Sequence, residues 1–174
     1  MELTKGANAP VAQDDVVLTL NWQGPAELDV SALLLGGDGR VRSDDDFIFY
    51  HQPHHSSGAV VHLGSGGGKQ QDAVGLTLNR VETAIDRIVI TASAGGTQFG
   101  RIPGLRLDVT QTSTRQQLIG YPIDAGSETA LIAGEVYRRN GQWKFRAVGQ
   151  GYDSGLRGIA EEFGITVEDD DLAP

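Results

Sequence analysis

Apolar positions recur every second residue along most of this chain, the period of a strand with one face in a core and the other in water. In residues 16–22 (VVLTLNW), Val16, Leu18, Leu20 and Trp22 alternate with Val17, Thr19 and Asn21. Residues 28–35 (LDVSALLL) are apolar almost throughout, as expected of a central strand covered on both faces. Further strands are predicted over 47–50, 59–63, 73–79, 87–94, 104–110 and 115–123, then over 128–139 and 143–150. The cleanest alternation is in 104–110, where Leu105, Leu107 and Val109 point one way and Arg106, Asp108 and Thr110 the other. In the last strand Trp143, Phe145 and Ala147 share one face, and Lys144 and Arg146 the opposite one.

Between these runs the turn chemistry is explicit. Asn140-Gly141 joins the last two strands, and a type I′ turn needs positive φ at both of its central residues. Gly36-Gly37-Asp38-Gly39 supplies positive-φ positions for a hairpin loop after the apolar strand, and residues 81–85 read as one helical turn. Only residues 155–163 carry a true helical period, with Leu156, Ile159, Ala160 and Phe163 at i, i+3, i+4 and i+7. Asp153 or Ser154 would cap this helix and Gly164 would end it. The pattern predicts an all-β fold, an antiparallel sandwich of two sheets with about ten strands and one short C-terminal helix. It predicts a single domain over 1–167, followed by an acidic flexible tail at 168–174.

Composition narrows the function classes. The 24 glycines are about twice the usual ~7% share and suit a turn-rich β chain. A net charge of -9, from 14 basic and 23 acidic residues, repels phosphate backbones and anionic membrane surfaces, so nucleic acid is not an expected partner. With no cysteine there is no disulfide, thiolate metal site or cysteine nucleophile. The start, MELTKGANAP, lacks the apolar core of an export signal, and no run is long enough to insert in a membrane, so a cytoplasmic location is expected.

Candidate chemistry concentrates in residues 27–64, which hold the Asp44-Asp45-Asp46 triplet and all four histidines. Adjacent carboxylates repel by roughly 1 kcal/mol per close pair even in water, and a hard cation held by oxygen atoms would offset that. In an extended segment Asp44 and Asp46 share a face, as do Glu27 and Asp29, so two pairs at strand ends can converge on one ion. The competing reading is a solvated acidic turn. Zinc is disfavoured: His54 and His55 are neighbours in a PHHSSG turn, no cysteine completes a set, and the histidines read as exposed turn residues. Residues 64–69 (GSGGGK) are not a phosphate loop, because Leu63 and Gln70 stand where that motif needs Gly and Ser or Thr. Asp153-Ser154-Gly155 reads as a helix cap rather than a protease triplet, and no other catalytic constellation forms. Glu128, Glu135, Arg138 and Arg139, with Lys144 and Arg146 on the partner strand, read as cross-strand ion pairs.

Taken together, LTKGAN, LDVSALLL, GDGRVRSDDDFIFYHQP, GAVVHLG, QFG, ETALIAGEVYRR and NGQWKFRAVGQGYDSGL resemble the TerD-domain family of bacterial tellurium-resistance and general stress proteins. The resemblance implies a calcium-binding β-sandwich without catalytic activity, working with other tellurium-resistance or stress proteins, some of them membrane-bound. It implies Asp29, Asp44, Asp46 and Asp72 as calcium ligands with Glu27 in support. The sequence departs from the family pattern in three places. An acid at the head of the second strand is lengthened to Glu27, an Asn becomes His51, and the acid-rich loop reads GSGGGKQQDAV, keeping only Asp72 and adding Lys69. Fewer ligand charges weaken a calcium site. The alternative implied is an interaction module in which metal binding is weakened or lost.

Overall fold

The computed structural model describes residues 1–65 and 70–165. The tail at 168–174 and residues 66–69 of the glycine loop lie outside the described residues. Among the described residues eleven strands and one helix follow in the order β1 (Asn8–Val11), β2 (Asp15–Asn21), β3 (Asp29–Leu35), β4 (Phe47–Ile48), β5 (Val60–Gly64), β6 (Gln71–Thr77), β7 (Arg87–Ser93), β8 (Arg106–Gln111), β9 (Gln117–Pro122), β10 (Ala130–Arg139), β11 (Gln142–Tyr152) and α1 (Gly155–Glu162). They form a six-stranded sheet ordered β1-β11-β10-β7-β3-β4 and a five-stranded sheet ordered β5-β6-β2-β8-β9. Every strand pairing is antiparallel, as the alternating pattern predicts. No helix among the described residues is long and apolar enough to cross a membrane.

The main core lies between the sheets. Val16, Leu18 and Leu20 of β2 and Leu107 and Val109 of β8 face Val30, Ala32 and Leu34 of β3 and Phe145 and Ala147 of β11. A second cluster lies on the outer face of the six-stranded sheet, where Ile159 and Ala160 of α1 cover Leu33, Leu35, Val89 and Ile132. Strand β3 is therefore buried on both faces, the arrangement its unbroken apolar run requires. Gly164, at φ +94°, ends the helix, and Ile165 N–H returns to the Ala160 carbonyl.

Local details differ from the sequence pattern. Strand β1 was not signalled, because a four-residue edge containing Pro10 offers only Ala9 and Val11 as inward positions. Residues 81–85 are not helical; the turn forms earlier, as a 3₁₀ segment at Leu78–Arg80. Ser154 makes no side-chain capping bond, since it already has helical backbone angles. Of the glycines at 36–39 only Gly39 takes positive φ, whereas Asn140 and Gly141 both do, as the type I′ turn demands. Arg138 makes no ion pair among the described residues: it donates to the carbonyls of Val81, Glu82 and Ile85 and lies over the Trp143 ring.

The β10 register shifts between Ile132 and Gly134, and a Cβ on Gly134 would fall 2.5 Å from the fully buried Phe145 ring. Gly134→Ala is expected to lower stability by about 1–3 kcal/mol through overpacking. A urea unfolding series on the purified variant measures this.

Candidate functional site

The acidic residues separate into two groups, set by different backbone elements. Asp44, Asp45 and Asp46 are not extended; they form a 3₁₀ turn begun by Ser43, whose hydroxyl accepts from Asp45 N–H. A turn of three residues aims successive side chains around an axis. Asp44 and Asp45 are thus exposed while Asp46 is buried.

Asp46 is saturated. Its Oδ2 accepts from Arg42 N–H at 3.0 Å and Arg42 Nε at 2.9 Å, and its Oδ1 accepts from Arg42 Nη2 and His55 Nε2, both at 2.8 Å. A carboxylate has about four lone-pair sites, so none remains for a metal ion. Burial alone would push the Asp46 carboxyl up, but the bonds from Arg42 and His55 outweigh it and hold the group below the usual range. Arg42 also forks to exposed Glu82 at 3.0 Å through both terminal nitrogens. His55 is buried, not the exposed turn residue its sequence context suggested, and its Nδ1 accepts from the Ser57 hydroxyl at 2.6 Å. Since Asp46 can only accept, the imidazole carries its proton on Nε2. The Ser57–His55–Asp46 chain locks the turn before β5 onto the acidic turn. The Arg42 guanidinium, with the His55 N–H beside it, offsets the repulsion that the triplet raised.

The second group lies at the other end of β6. Asp72 is the second residue of that strand, buried at 6% exposure, and its Oδ2 accepts from Val30 N–H at 2.8 Å and bonds His62 Nε2 at 3.0 Å. Val30 belongs to β3 of the opposite sheet, so this carboxylate bridges the two layers. Asp29 precedes Val30, and its carboxyl pKa is raised, first by partial desolvation at the sheet end and then by the like charge of Asp72; His62 works in the opposite direction. Exposed Glu27 lines the same cleft as Asp29, Asp72 and Ser65. His62 was missed as a site residue, although the alternation in 59–63 puts it on the same face as buried Val60.

The structure thus brings Asp29, Asp72 and Glu27 to one cleft and leaves Asp44 and Asp46 elsewhere. His55 N–H bonds the Val60 carbonyl, and Val60 pairs with Leu76, four residues along β6 from Asp72. That offset is ~13 Å at the strand rise, whereas oxygens sharing one calcium lie within ~5 Å of one another. Among the described residues, no three or more His, Asp or Glu side chains are grouped to hold a metal ion. Calcium takes six to eight oxygens, so Asp29 and Asp72 fit as part of a set completed by backbone and water oxygens. Asp46 does not fit.

The architecture is an antiparallel two-sheet β-sandwich, and comparison places it. The TerD domain matches residues 1–163, and this chain belongs to the TerD-domain family. It is 34% identical to the tellurium resistance protein TerD of Serratia marcescens over 187 residues, covering 95% of this chain and 97% of that protein. It is 41% identical to general stress protein 16U of Bacillus subtilis, covering 81% and 79% respectively. The crystal structure of a TerD homologue from Streptomyces coelicolor A3(2) superposes with a TM-score of 0.65 at 21% identity, covering 94% of this chain and all of that one, a likeness of fold.

Asp46→Asn is expected to cost about 2–4 kcal/mol at neutral pH, because Arg42 and His55 lose a shared buried acceptor. The folded pKa of Asp46 lies below its unfolded value, so its contribution is fully present above ~pH 4 and is lost as pH falls through the folded value. Urea midpoints measured from pH 7 to pH 2 should show wild type and variant converging at the acid end.

Proposed function

We propose that this protein is a non-enzymatic stress-response module of the tellurium-resistance type, in which Asp29 and Asp72 hold a calcium ion with Glu27 at the rim. The single observation that carries this reading is the meeting of two carboxylates from opposite sheets, Asp29 and Asp72, in one cleft; partial burial first and the charge of Asp72 second raise the proton affinity of Asp29. A divalent ion would supply charge neutralisation there and tie β3 to β6 more firmly than the Val30–Asp72 bond alone. Tellurium resistance and stress response come to this chain from its family relatives, and the cytoplasmic location expected from the sequence accords with such a role. Its partners would be other proteins of the same response, with the ion acting as a switch or scaffold element.

The site is weaker than a full carboxylate cage. Only Asp72 remains of the acid-rich loop, and His62 already occupies one of its oxygens. His62 and Val30 N–H both bond Oδ2, so calcium would approach Asp72 through Oδ1, and the shortage of carboxylates lowers affinity toward the ~10⁻⁴–10⁻³ M range of charge-poor sites.

A second reading, a metal-independent interaction module, is favoured by one observation. At Asp46 the place of a cation is taken by Arg42 and His55, so that turn is complete without metal. Calorimetric and thermal titration decides between the two. The calcium reading predicts heat on titration and a melting temperature raised by about 3–8 °C at saturating calcium. Both effects should be lost in Asp29→Asn and Asp72→Asn and retained in Asp44→Asn. Equal heats and melting temperatures with and without the ion would leave the second reading standing.

A further inference from the structure

Four cations gather on the outer face of the six-stranded sheet, beyond the apolar part that α1 covers. Phe145 and Ala147 point into the core, so Lys144 and Arg146 of β11 point out. Tyr137 of β10 pairs with Arg87 of β7 on one side and with Lys144 on the other, and Glu135 pairs directly with Arg146. Arg139 stands two residues after Tyr137, on the same face. With ~4.8 Å between strands and ~6.8 Å between alternate residues, the four cations surround Tyr137 within ~15 Å of one another.

Two of the four are fixed by the protein itself. Buried Glu135 accepts from Arg87 Nη1 at 3.1 Å and pairs with Arg146 Nη1 at 3.4 Å, and the Arg146 guanidinium lies 4.9 Å from the centre of the Tyr137 ring. The side chains of Arg87 and Arg146 are nonetheless 37% and 42% exposed, and a guanidinium has five N–H donors, so part of each fork faces water. Nearby carboxylates are engaged elsewhere. Glu162 of α1 accepts from the Tyr152 hydroxyl, Glu161 lies 3.9 Å from Arg157, and Asp38 accepts from Arg40 N–H at 3.0 Å. On the far side β1 brings Asn8 and Pro10 beside Arg146 and Lys144, and neither carries charge. Four cations against one buried carboxylate therefore leave this face positive.

The rest of the molecule selects what can reach it. In a chain of net charge -9, a nucleic acid or an anionic bilayer would also lie against the acidic remainder and be repelled, whereas a short anionic segment meets the patch alone. The face also displays the group it accepts, since Glu135 already lies between two guanidinium groups, which match carboxylates in geometry as well as charge. Side chains at i and i+2 of an extended peptide repeat every ~6.8 Å, the spacing along β10 between the row of Arg87 and Lys144 and the row of Arg139. Charge and spacing agree.

We infer that this face is a docking site for a short acidic peptide segment of a partner protein, its carboxylates held by Arg87, Arg139, Lys144 and Arg146 around Tyr137. The surface is separate from the cleft of Asp29 and Asp72, and the inference does not rest on calcium.

The test uses the full chain, isotopically labelled, with hexaglutamate as the probe and hexaglutamine as the control. Hexaglutamate is expected to give saturable shifts in amides of residues 87, 137–139 and 144–146 while β2, β6 and β8 stay unmoved, and hexaglutamine none. Affinity should fall at least about ten-fold between ~0.02 M and ~0.5 M NaCl, as the Debye length shortens from ~20 Å to ~4 Å. It should fall about as far in Arg139→Glu/Lys144→Glu, which spares the two arginines that hold Glu135; an unchanged spectrum elsewhere shows that the variant is folded. Exposed Arg139→Gln gives a second measure, about a two- to three-fold loss, should the double variant unfold. Absent or scattered shifts, or shifts that survive salt and charge reversal, would overturn the proposal. So would tighter binding of a DNA oligonucleotide or of phosphatidylglycerol vesicles, which makes the face a polyanion site. Shifts of the same amides on raising protein concentration without peptide would also overturn it, by assigning the face to a second copy.

Discussion

Everything in this fold depends on β3 being buried on both faces. Val30, Ala32 and Leu34 close the core between the sheets, and Leu33 and Leu35 take the helix on the outside. Two-sided burial excludes water from both flanks, so the strand is held in one register. It is also why Asp29, at the first position of β3, stands at a fixed junction between the sheets. The carboxylate of Asp72 then needs to accept only one backbone N–H, that of Val30, to couple the layers.

The two acidic groups illustrate how differently a protein can manage like charge. Around Asp46 the solution is internal: a guanidinium held bidentate, with a buried imidazole beside it, supplies the missing positive charge. Bidentate arginine pairs are among the stronger charged contacts because geometry and charge agree. Around Asp29 the compensation is partial, since His62 engages Asp72 and leaves Asp29 facing a neighbouring carboxylate. Partial burial and the neighbouring charge of Asp72 together raise the proton affinity of Asp29, whereas Asp46 is held in its charged form.

The surface divides along the same logic. The helix covers the apolar half of the outer face, where Leu33, Leu35, Val89 and Ile132 would otherwise meet water. The remaining half is solvated by arginine and lysine side chains, and Glu135 is buried there only because Arg87 and Arg146 flank it. An acidic chain that keeps several cations on one sheet face has separated its charges in space.

Period-two alternation, glycine turns and one 3.6-residue stretch were enough to read the sandwich, the Asn140-Gly141 hairpin and the terminal helix from sequence, because each depends on interactions between near neighbours. The double burial of β3 was legible for the same reason: no polar residue interrupts its centre except Ser31, which bonds Thr91. What the sequence by itself could not decide was which acids meet. Asp44 and Asp46 share a face only if the backbone is extended, and Ser43 turns it into a 3₁₀ segment instead. Asp46 is answered by His55, nine residues away, and Asp72 by Val30, forty-two residues away in the other sheet. Those pairings are set by strand order and sheet stacking, so only the tertiary structure could separate the carboxylate that is already satisfied from the pair that is not.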